Sequence, residues 1–366
     1  MERELPTSTA NRKAASYYTD SNFSISVVNG VLDMISNVAV EILNNNDESQ
    51  ELFDFIDNSV NGTIFHHPKF LSYHDKNKFP EPEYSITHFF FQHKNRIVGF
   101  LPGIIHHNSS NTSFYSPYGA SFGGLITDDL SFDKYDRMID IILDHLINTK
   151  GVTEINITPP TSIYMGQKMN DYLEYIYLSK GFEVKKAELT IVTRVLMNDD
   201  FPRRILKNRV KSSINKCKKM GVVCKISENH HIAYSIIVKS QEKFNKKPTH
   251  SLTELNTISN LFPHYIINFI AYLEQTPIAV VTLILSNKRV ATSFYIAHLE
   301  NYANLRPVEF LFDKILKWLK ECNYAYLDFG PSTFGYDPHR SLIFFKEGFG
   351  GKGIIKRFYQ YSTKNS

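Results

Sequence analysis

The stretch from Tyr326 to Gly351, "YLDFGPSTFGYDPHRSLIFFKEGFGG", sets an acid and a lysine on either side of a loop rich in glycine and proline. An apolar run ends on Asp328, then Gly330, Pro331 and Ser332 follow, and Lys346 stands inside a Phe-rich segment. A carboxylate at a strand end can take a proton from an attacking group. An ammonium in apolar surroundings is expensive to bury without a partner, and it can stabilise a developing anion. Each residue also has a structural reading. Asp328 would tie down the loop that follows it, and Lys346 would snorkel to solvent along its alkyl stem.

Other residues of chemical interest cluster in four places. His298 in "YIAHLE" is a candidate base, since histidine titrates near neutral pH, and Tyr295 just before it is a candidate acid. His66, His67 and His74 lie together in "FHHPKFLSYH". Lys247, Thr249 and His250 share "NKKPTHS", and Tyr118 and Ser121 belong to the glycine-rich loop "SPYGASFGG". No His, Cys or Asp set has metal-ligand spacing, so no metal is expected. The three cysteines, Cys217, Cys224 and Cys322, are too scattered for a disulfide framework, which fits a reducing, cytoplasmic setting.

The elements that must position these residues repeat along the chain. "TSFY" occurs at Thr112–Tyr115 and Thr292–Tyr295, and "FDK" at Phe132–Lys134 and Phe312–Lys314. Both pairs share one offset, about half the chain, which points to internal duplication. Strand-length apolar runs broken by turn residues precede each "TSFY", as in a meander. An amphipathic helix follows each copy, and in the second Pro307 suits the first turn. Each half is then expected to run strand, helix, closing strand. The unit is β-β-β, helix, β, helix, β, twice.

The fold class is therefore α+β, with a polar N-terminal tail at 1–22 and halves at 23–197 and 198–362. Composition supports this: 42% hydrophobic residues with 27 Phe and 21 Tyr can fill two sheet-rich cores. No run approaches a membrane span. The net charge of +4 permits an anionic small substrate without announcing nucleic acid. The segment from Phe201 to Lys225 is basic, with Arg203, Arg204, Lys207, Arg209, Lys211, Lys216, Lys218 and Lys219. Leu206, Val210, Ile214 and Cys217 give it one buried helical stripe. Its charges form a solvated face or contact phosphate.

This order of elements resembles the GNAT acyltransferase fold, and in duplicated form its FemAB-like branch, over roughly residues 45 to 362. The pieces that carry the resemblance are "NGTIFHHPKFLSYH", "RRILKNRVKSSINKCKKMGV", "NKKPTHS", "YLDFGPS" and "FFKEGFG". The resemblance implies direct acyl transfer to an amine without a covalent enzyme intermediate. Acyl-CoA would be the donor, and the acceptor a nucleotide-linked amino sugar, such as a dTDP-linked 3-amino-3,6-dideoxyhexose, for surface polysaccharide. The alternatives are a FemX-like aminoacyl-tRNA-dependent transferase of peptidoglycan precursor synthesis and a non-catalytic binding module.

The resemblance also implies roles. The pantetheine arm would lie where "VATSFYIAH" and "YAYLDFG" splay apart. The diphosphate would sit at the helix N-terminus on Asn304, Arg306 and Pro307, with Gly330 and Ser332 beside the arm. Asp328 or His298 would act as base, Tyr295 as acid, and Lys346 would support the carbonyl. His66, His67, His74, Tyr118, Ser121, Lys247 and His250 would contact the acceptor. One departure stands out: "ENYANLRPVEF" lacks the glycine loop usual for the diphosphate, whereas the first half keeps "SPYGASFGG" at the same point.

Overall fold

The computed structural model describes residues 40–41, 50–73, 83–94, 96–243 and 245–364. The first half runs β1 (Val40–Glu41), α1 (Gln50–Asn58), α2 (Pro68–Leu71), β2 (Tyr84–Ile86), β3 (Phe89–His93), β4 (Arg96–Leu101), β5 (Ile104–His107), β6 (Thr112–Ser116) and β7 (Ile126–Thr127). It ends with α3 (Phe132–Asp144), β8 (Glu154–Ile157), α4 (Tyr172–Ser179) and β9 (Glu183–Arg194). The second runs α5 (Asn208–Lys219), β10 (Val223–Ser227), α6 (His230–Glu242), α7 (Leu252–Leu261), β11 (Ile266–Leu273), β12 (Thr276–Leu285) and β13 (Val290–His298). It closes with α8 (Pro307–Glu321), β14 (Tyr326–Pro331), β15 (Thr333–Phe334), β16 (Asp337–Pro338), α9 (Arg340–Glu347) and β17 (Lys352–Ser362). The tail at 1–22 lies outside the described residues.

The two halves share one sheet of eleven strands, ordered β10-β11-β12-β13-β14-β9-β17-β8-β6-β5-β2. Apart from the added edge strand β10, the order is palindromic about the β9–β17 pair. On one side β13 and β14 are parallel, and on the other β6 and β8 are parallel. This symmetry is what a duplicated unit produces. The closing strands are exchanged between the halves. β9 of the first half pairs with β14 of the second, Tyr326 opposite Arg194, and β17 pairs with β8, Tyr359 opposite Ile157. Residues 37–366 form one compact unit, and the boundary at 197–198 falls in the connection between β9 and α5.

The first meander also departs from the reading of three straight strands. Each of its first two strands bends across two sheets: β2 and β5 belong to the large sheet, whereas β3 and β4 join a small sheet with β1 and β7. Pro102 has no N–H for a ladder. A Cβ on Gly103 would meet the Phe114 ring at 2.0 Å. The two bends are tied together, Thr87 N–H donating to Gly103 O at 2.9 Å and Gly103 N–H to His88 Nδ1 at 3.1 Å.

Three of the hydrophobic cores bear most on the frame. β-branched and aromatic residues of β11 and β12 pack with α5 and α8 around Phe269, Phe312 and Leu316. Helices α3 and α4 cover the first-half sheet around Phe114, Ile142 and Tyr177. A third, aromatic core joins the halves through Phe65, Phe70, Phe122, Tyr164 and Phe262. It brings the loop Ser116–Gly124 against the second half.

Candidate active site

The second half opens its sheet where β13 and β14 part. Their parallel register runs Val290–Tyr326, Ala291–Leu327 and Thr292–Asp328 and stops, although β13 continues to His298 and β14 to Pro331. Asp328 causes the turn. Its Oδ1 accepts the Gly330 N–H at 2.7 Å, removing that donor from the ladder, and Gly330 takes the left-handed φ of +73°. On the stretch of β13 beyond the parting, Ser293 Oγ is buried and without a hydrogen-bond partner.

Asp328 itself is 2% exposed. Besides Gly330 N–H, its Oδ1 accepts from Thr190 Oγ1 at 2.8 Å, and its Oδ2 accepts from Tyr164 OH at 2.9 Å. A general base needs an oxygen open to substrate, and this carboxylate faces only protein donors. The expectation of Asp328 as base is corrected: it shapes the loop.

Lys346 is equally buried, and its three ammonium protons match three acceptors. Nζ donates to Gly330 O and Pro331 O, each at 2.9 Å, and to Ser332 Oγ at 2.8 Å. Burial pushes its pKa down to about 8, against the pull of the Asp328 carboxylate. It does not snorkel, and its N–H groups hold the loop instead of pointing at a carbonyl of a substrate. Gly330 and Ser332, expected beside the pantetheine arm, are the groups it holds, and Ser332 is 1% exposed.

Tyr295 belongs to a relay that crosses the halves. Its OH lies 3.0 Å from His250 Nδ1 and accepts the His250 N–H at 3.1 Å, while His250 Nε2 meets Tyr73 OH at 2.7 Å. Tyr73 OH in turn donates to Gly119 O at 3.4 Å. Burial raises the pKa of both phenols. The structure thus brings Tyr295 and His250 together; Lys247 is exposed nearby in sequence. His298 sits at the far end of β13, its pKa lowered by burial and Lys243 against the opposing Glu300 carboxylate.

The acceptor candidates of the first half divide. His66 is fully buried, bonded to Thr63 Oγ1 at 2.9 Å and Gly123 O at 3.0 Å, and burial lowers its pKa to about 4. It is a structural clamp on the glycine-rich loop, not a substrate contact. His67 accepts Lys69 N–H on Nδ1, packs on Phe53, and keeps a buried, unpartnered Nε2, with a pKa lowered to about 3 by burial. His74 lies outside the described residues. Tyr118 is 6% exposed and stacks near His88. The Ser121 carbonyl accepts Lys356 Nζ at 2.8 Å.

The diphosphate expectation meets an obstacle. Arg306 is the N-cap of α8 in the left-handed region, φ 52°, and Pro307 is its first residue. The first turn carries Glu309, 8% exposed, with Arg306 Nη1 3.8 Å from its carboxylate. Helix α5 covers the approach: Lys216 Nζ donates to Asn304 O at 2.8 Å, and Cys217 Sγ to Leu305 O at 3.1 Å. The positive end of α8 therefore already faces an acidic side chain of its own, where Asn304, Arg306 and Pro307 were expected to hold phosphate.

Four residues escaped the sequence reading. Tyr73 stands inside the quoted "FHHPKFLSYH", beside the histidines that drew attention. Ser293 and Glu309 look ordinary in an aromatic strand and an amphipathic helix. Lys356 lies in strand β17, where alternation reads as a solvated face, yet its ammonium sits over the Phe122 and Phe358 rings at 4.7 and 5.1 Å. The loop Ser116–Gly124 joins the groups, since Gly119 meets Tyr73, Ser121 meets Lys356, and the Phe122 ring packs on Tyr164.

Among the described residues no group of three His, Cys, Asp or Glu side chains is placed to hold a metal ion, and no helix is long and apolar enough to cross a membrane. No curated protein matches the sequence. Residues 266–338, from β11 to β16, match the family described as acetyltransferase (GNAT) domain. The structure is similar to the crystal structure of FemX, at 13% identity and TM-score 0.67, covering 89% of this chain and 98% of that one. It is similar to L-PGS from Bacillus licheniformis, at 11% identity and TM-score 0.55, covering 89% and 95%. A conserved protein of unknown function from Bacteroides thetaiotaomicron VPI-5482 aligns at 9% identity and TM-score 0.54, covering 88% and 99%. Within the second half, residues 266–338 are thus similar to the GNAT acetyltransferase family, and the chain has an α+β fold similar to that of FemX.

Proposed function

We propose that the protein is an N-acyltransferase that moves an acyl group from acyl-CoA to the amine of a nucleotide-linked amino sugar. The observation that supports it is the parting of β13 and β14 after Thr292 and Asp328, inside the segment matched to the acetyltransferase family. An acyl donor lying in that gap would place its carbonyl along the freed edge of β13. There the Ser293 hydroxyl and the strand's N–H groups would stabilise the oxyanion.

The amine nitrogen attacks the thioester carbon, the C–N bond forms, and the C–S bond breaks. The proton leaving the amine passes to the His250 relay, and Tyr295 returns one to the departing thiolate. Asp328 and Lys346 keep the loop beyond β14 out of the gap, so their part is positional. The glycine-rich loop Ser116–Gly124, which borders the relay through Gly119 and Tyr73, is the reading's acceptor wall.

A second reading has an observation of its own. The carboxylate of Glu309 at the start of α8 opposes a CoA diphosphate there, and the neighbouring stretch 201–225 is basic without a single Asp or Glu. Both favour a donor held elsewhere by many phosphates, an aminoacyl-tRNA acting as in FemX-like transferases, with a peptidoglycan precursor as acceptor.

One experiment separates these readings. The purified protein is given acetyl-CoA with dTDP- and UDP-linked amino sugars, and thiol release and product mass are followed. Parallel reactions carry radiolabelled aminoacyl-tRNA. Thiol release that requires the amino sugar supports the first reading. Transfer only from aminoacyl-tRNA supports the second, and no transfer in either leaves a binding module.

A further inference from the structure

We infer that Tyr164, a first-half residue, is a positioning residue for acyl transfer in the second half. It fixes the last rung before β13 and β14 part. The inference rests on the reading of that gap as the acyl-donor site.

Neighbouring strands keep their ladder unless other groups take up their backbone donors and acceptors. The last pair of this ladder is Thr292 opposite Asp328, and one hydroxyl touches both residues. Tyr164 OH donates to Asp328 Oδ2 at 2.9 Å and lies 3.1 Å from Thr292 Oγ1. A phenol has a single proton, so its oxygen accepts the Thr292 hydroxyl proton. Burial, reinforced by the Asp328 carboxylate, lifts the phenol pKa well above its usual value, and the group stays a donor. Thr292 Oγ1 meets Ser286 Oγ at 2.7 Å, which carries the network back to the turn between β12 and β13.

Asp328 ends the β14 ladder by its grip on the Gly330 N–H. Among the described residues, both side chains that donate to its carboxylate come from the first half: Tyr164, and Thr190 of β9. The second half grips Tyr164 at its other end. Asn287 Nδ2 and Arg289 Nη2 donate to its carbonyl at 3.1 and 2.6 Å. The same two side chains reach Gly62 O and Val60 O.

Tyr164 is 0% exposed, and its ring meets the Phe122 ring edge-on with centroids 4.9 Å apart. Phe122 belongs to the glycine-rich loop, so the proposed acceptor wall and the proposed donor gap meet at one side chain. A residue buried and bonded in this way does not touch substrate. It acts through Asp328 and Thr292.

The test compares the full chain with Tyr164→Phe, Asp328→Asn and the double variant. Transfer is followed from acetyl-CoA to a dTDP-linked amino sugar, and from aminoacyl-tRNA in parallel. Tyr164→Phe should lower kcat by about one to two orders of magnitude, the cost of a displacement near 1 Å. KM for the donor should change little. In the Asp328→Asn background the same substitution should cost about threefold or less, because the partner it acts through is gone. Amide hydrogen exchange without substrate gives a reading independent of activity. Exchange should rise in peptides covering β13 and β14 and stay as in the parent across α3. Thr190→Val removes the other first-half donor at similar volume, repeats the test should Tyr164→Phe fail to fold, and should show the same pattern. Unchanged exchange at β13 and β14 overturns the inference, as does an equal kcat loss with and without Asp328. A lower thermal midpoint with kcat intact overturns it too. If the parent transfers no acyl group, the acyl-transfer reading fails, and the exchange comparison still decides whether Tyr164 fixes the rung.

Discussion

Asp328 and Lys346 grip the same short loop by opposite polar groups: Asp328 accepts the Gly330 N–H, and Lys346 donates to the Gly330 and Pro331 carbonyls and to Ser332 Oγ. The pair act on one another through the backbone between them. Removing either leaves buried groups unsatisfied. Lys346→Met is expected to destabilise the protein by about 2–4 kcal/mol, the range for stranding buried acceptors, and Asp328→Asn by somewhat less. Denaturant unfolding of both singles and the double should show a loss smaller than the sum, because each variant frees the loop that the other holds. Full additivity would refute the shared-loop account.

Ser293→Ala separates function from stability. Its hydroxyl has no partner to lose, so the unfolding midpoint should hold or rise slightly. If the hydroxyl supports the oxyanion, turnover should fall by about two orders of magnitude. Normal turnover would remove Ser293 from the reaction.

The relay makes its own prediction. Tyr295→Phe should cut turnover by about a hundredfold, within the range of acid–base contributions, while far-UV circular dichroism is unchanged. Tyr73→Phe leaves His250 and Tyr295 in contact and should act mainly by shifting the pH–rate profile. A profile identical to that of the parent would show that the first-half end of the relay is structural.

Donor placement turns on Glu309. Burial raises its pKa, against the Arg306 and Arg209 cations. If CoA approaches the start of α8, Glu309→Gln should strengthen CoA binding about tenfold in calorimetry, because one like charge is removed beside the diphosphate. Unchanged affinity would place the donor away from α8.

Acid stability follows from the buried histidines. Folded His66 and His88 titrate at about 4 and His67 at about 3, all through burial, whereas unfolded histidine titrates near 6.5. Between these values the unfolded chain binds more protons. Stability is therefore complete above about pH 6.5 and declines as pH falls toward 4, by about 1.4 kcal/mol per pH unit for each histidine. His88→Asn keeps an acceptor for the Gly103 N–H and should lower that slope by one histidine's share in unfolding curves measured from pH 4.5 to 6.5.

Much of the frame could be read from the chain alone. The repeats at Thr112 and Thr292, the β-branched runs of β11 and β12, and Pro307 at a helix start are local signals, because propensity and periodicity act over a few residues. They delivered the α+β class, the element order and the interest of the loop after Asp328. They could not say what faces what. Tyr73 and His250 are 177 residues apart and Tyr164 and Asp328 are 164 apart, so neither contact leaves a mark in spacing. Whether Asp328 opens to a substrate or turns on Tyr164, and whether the head of α8 greets a phosphate or Glu309, depends on which element packs over it. The exchange of β9 and β17 has the same cause: a strand's pattern specifies which face is buried, and only the assembled sheet decides which neighbour completes its hydrogen bonds.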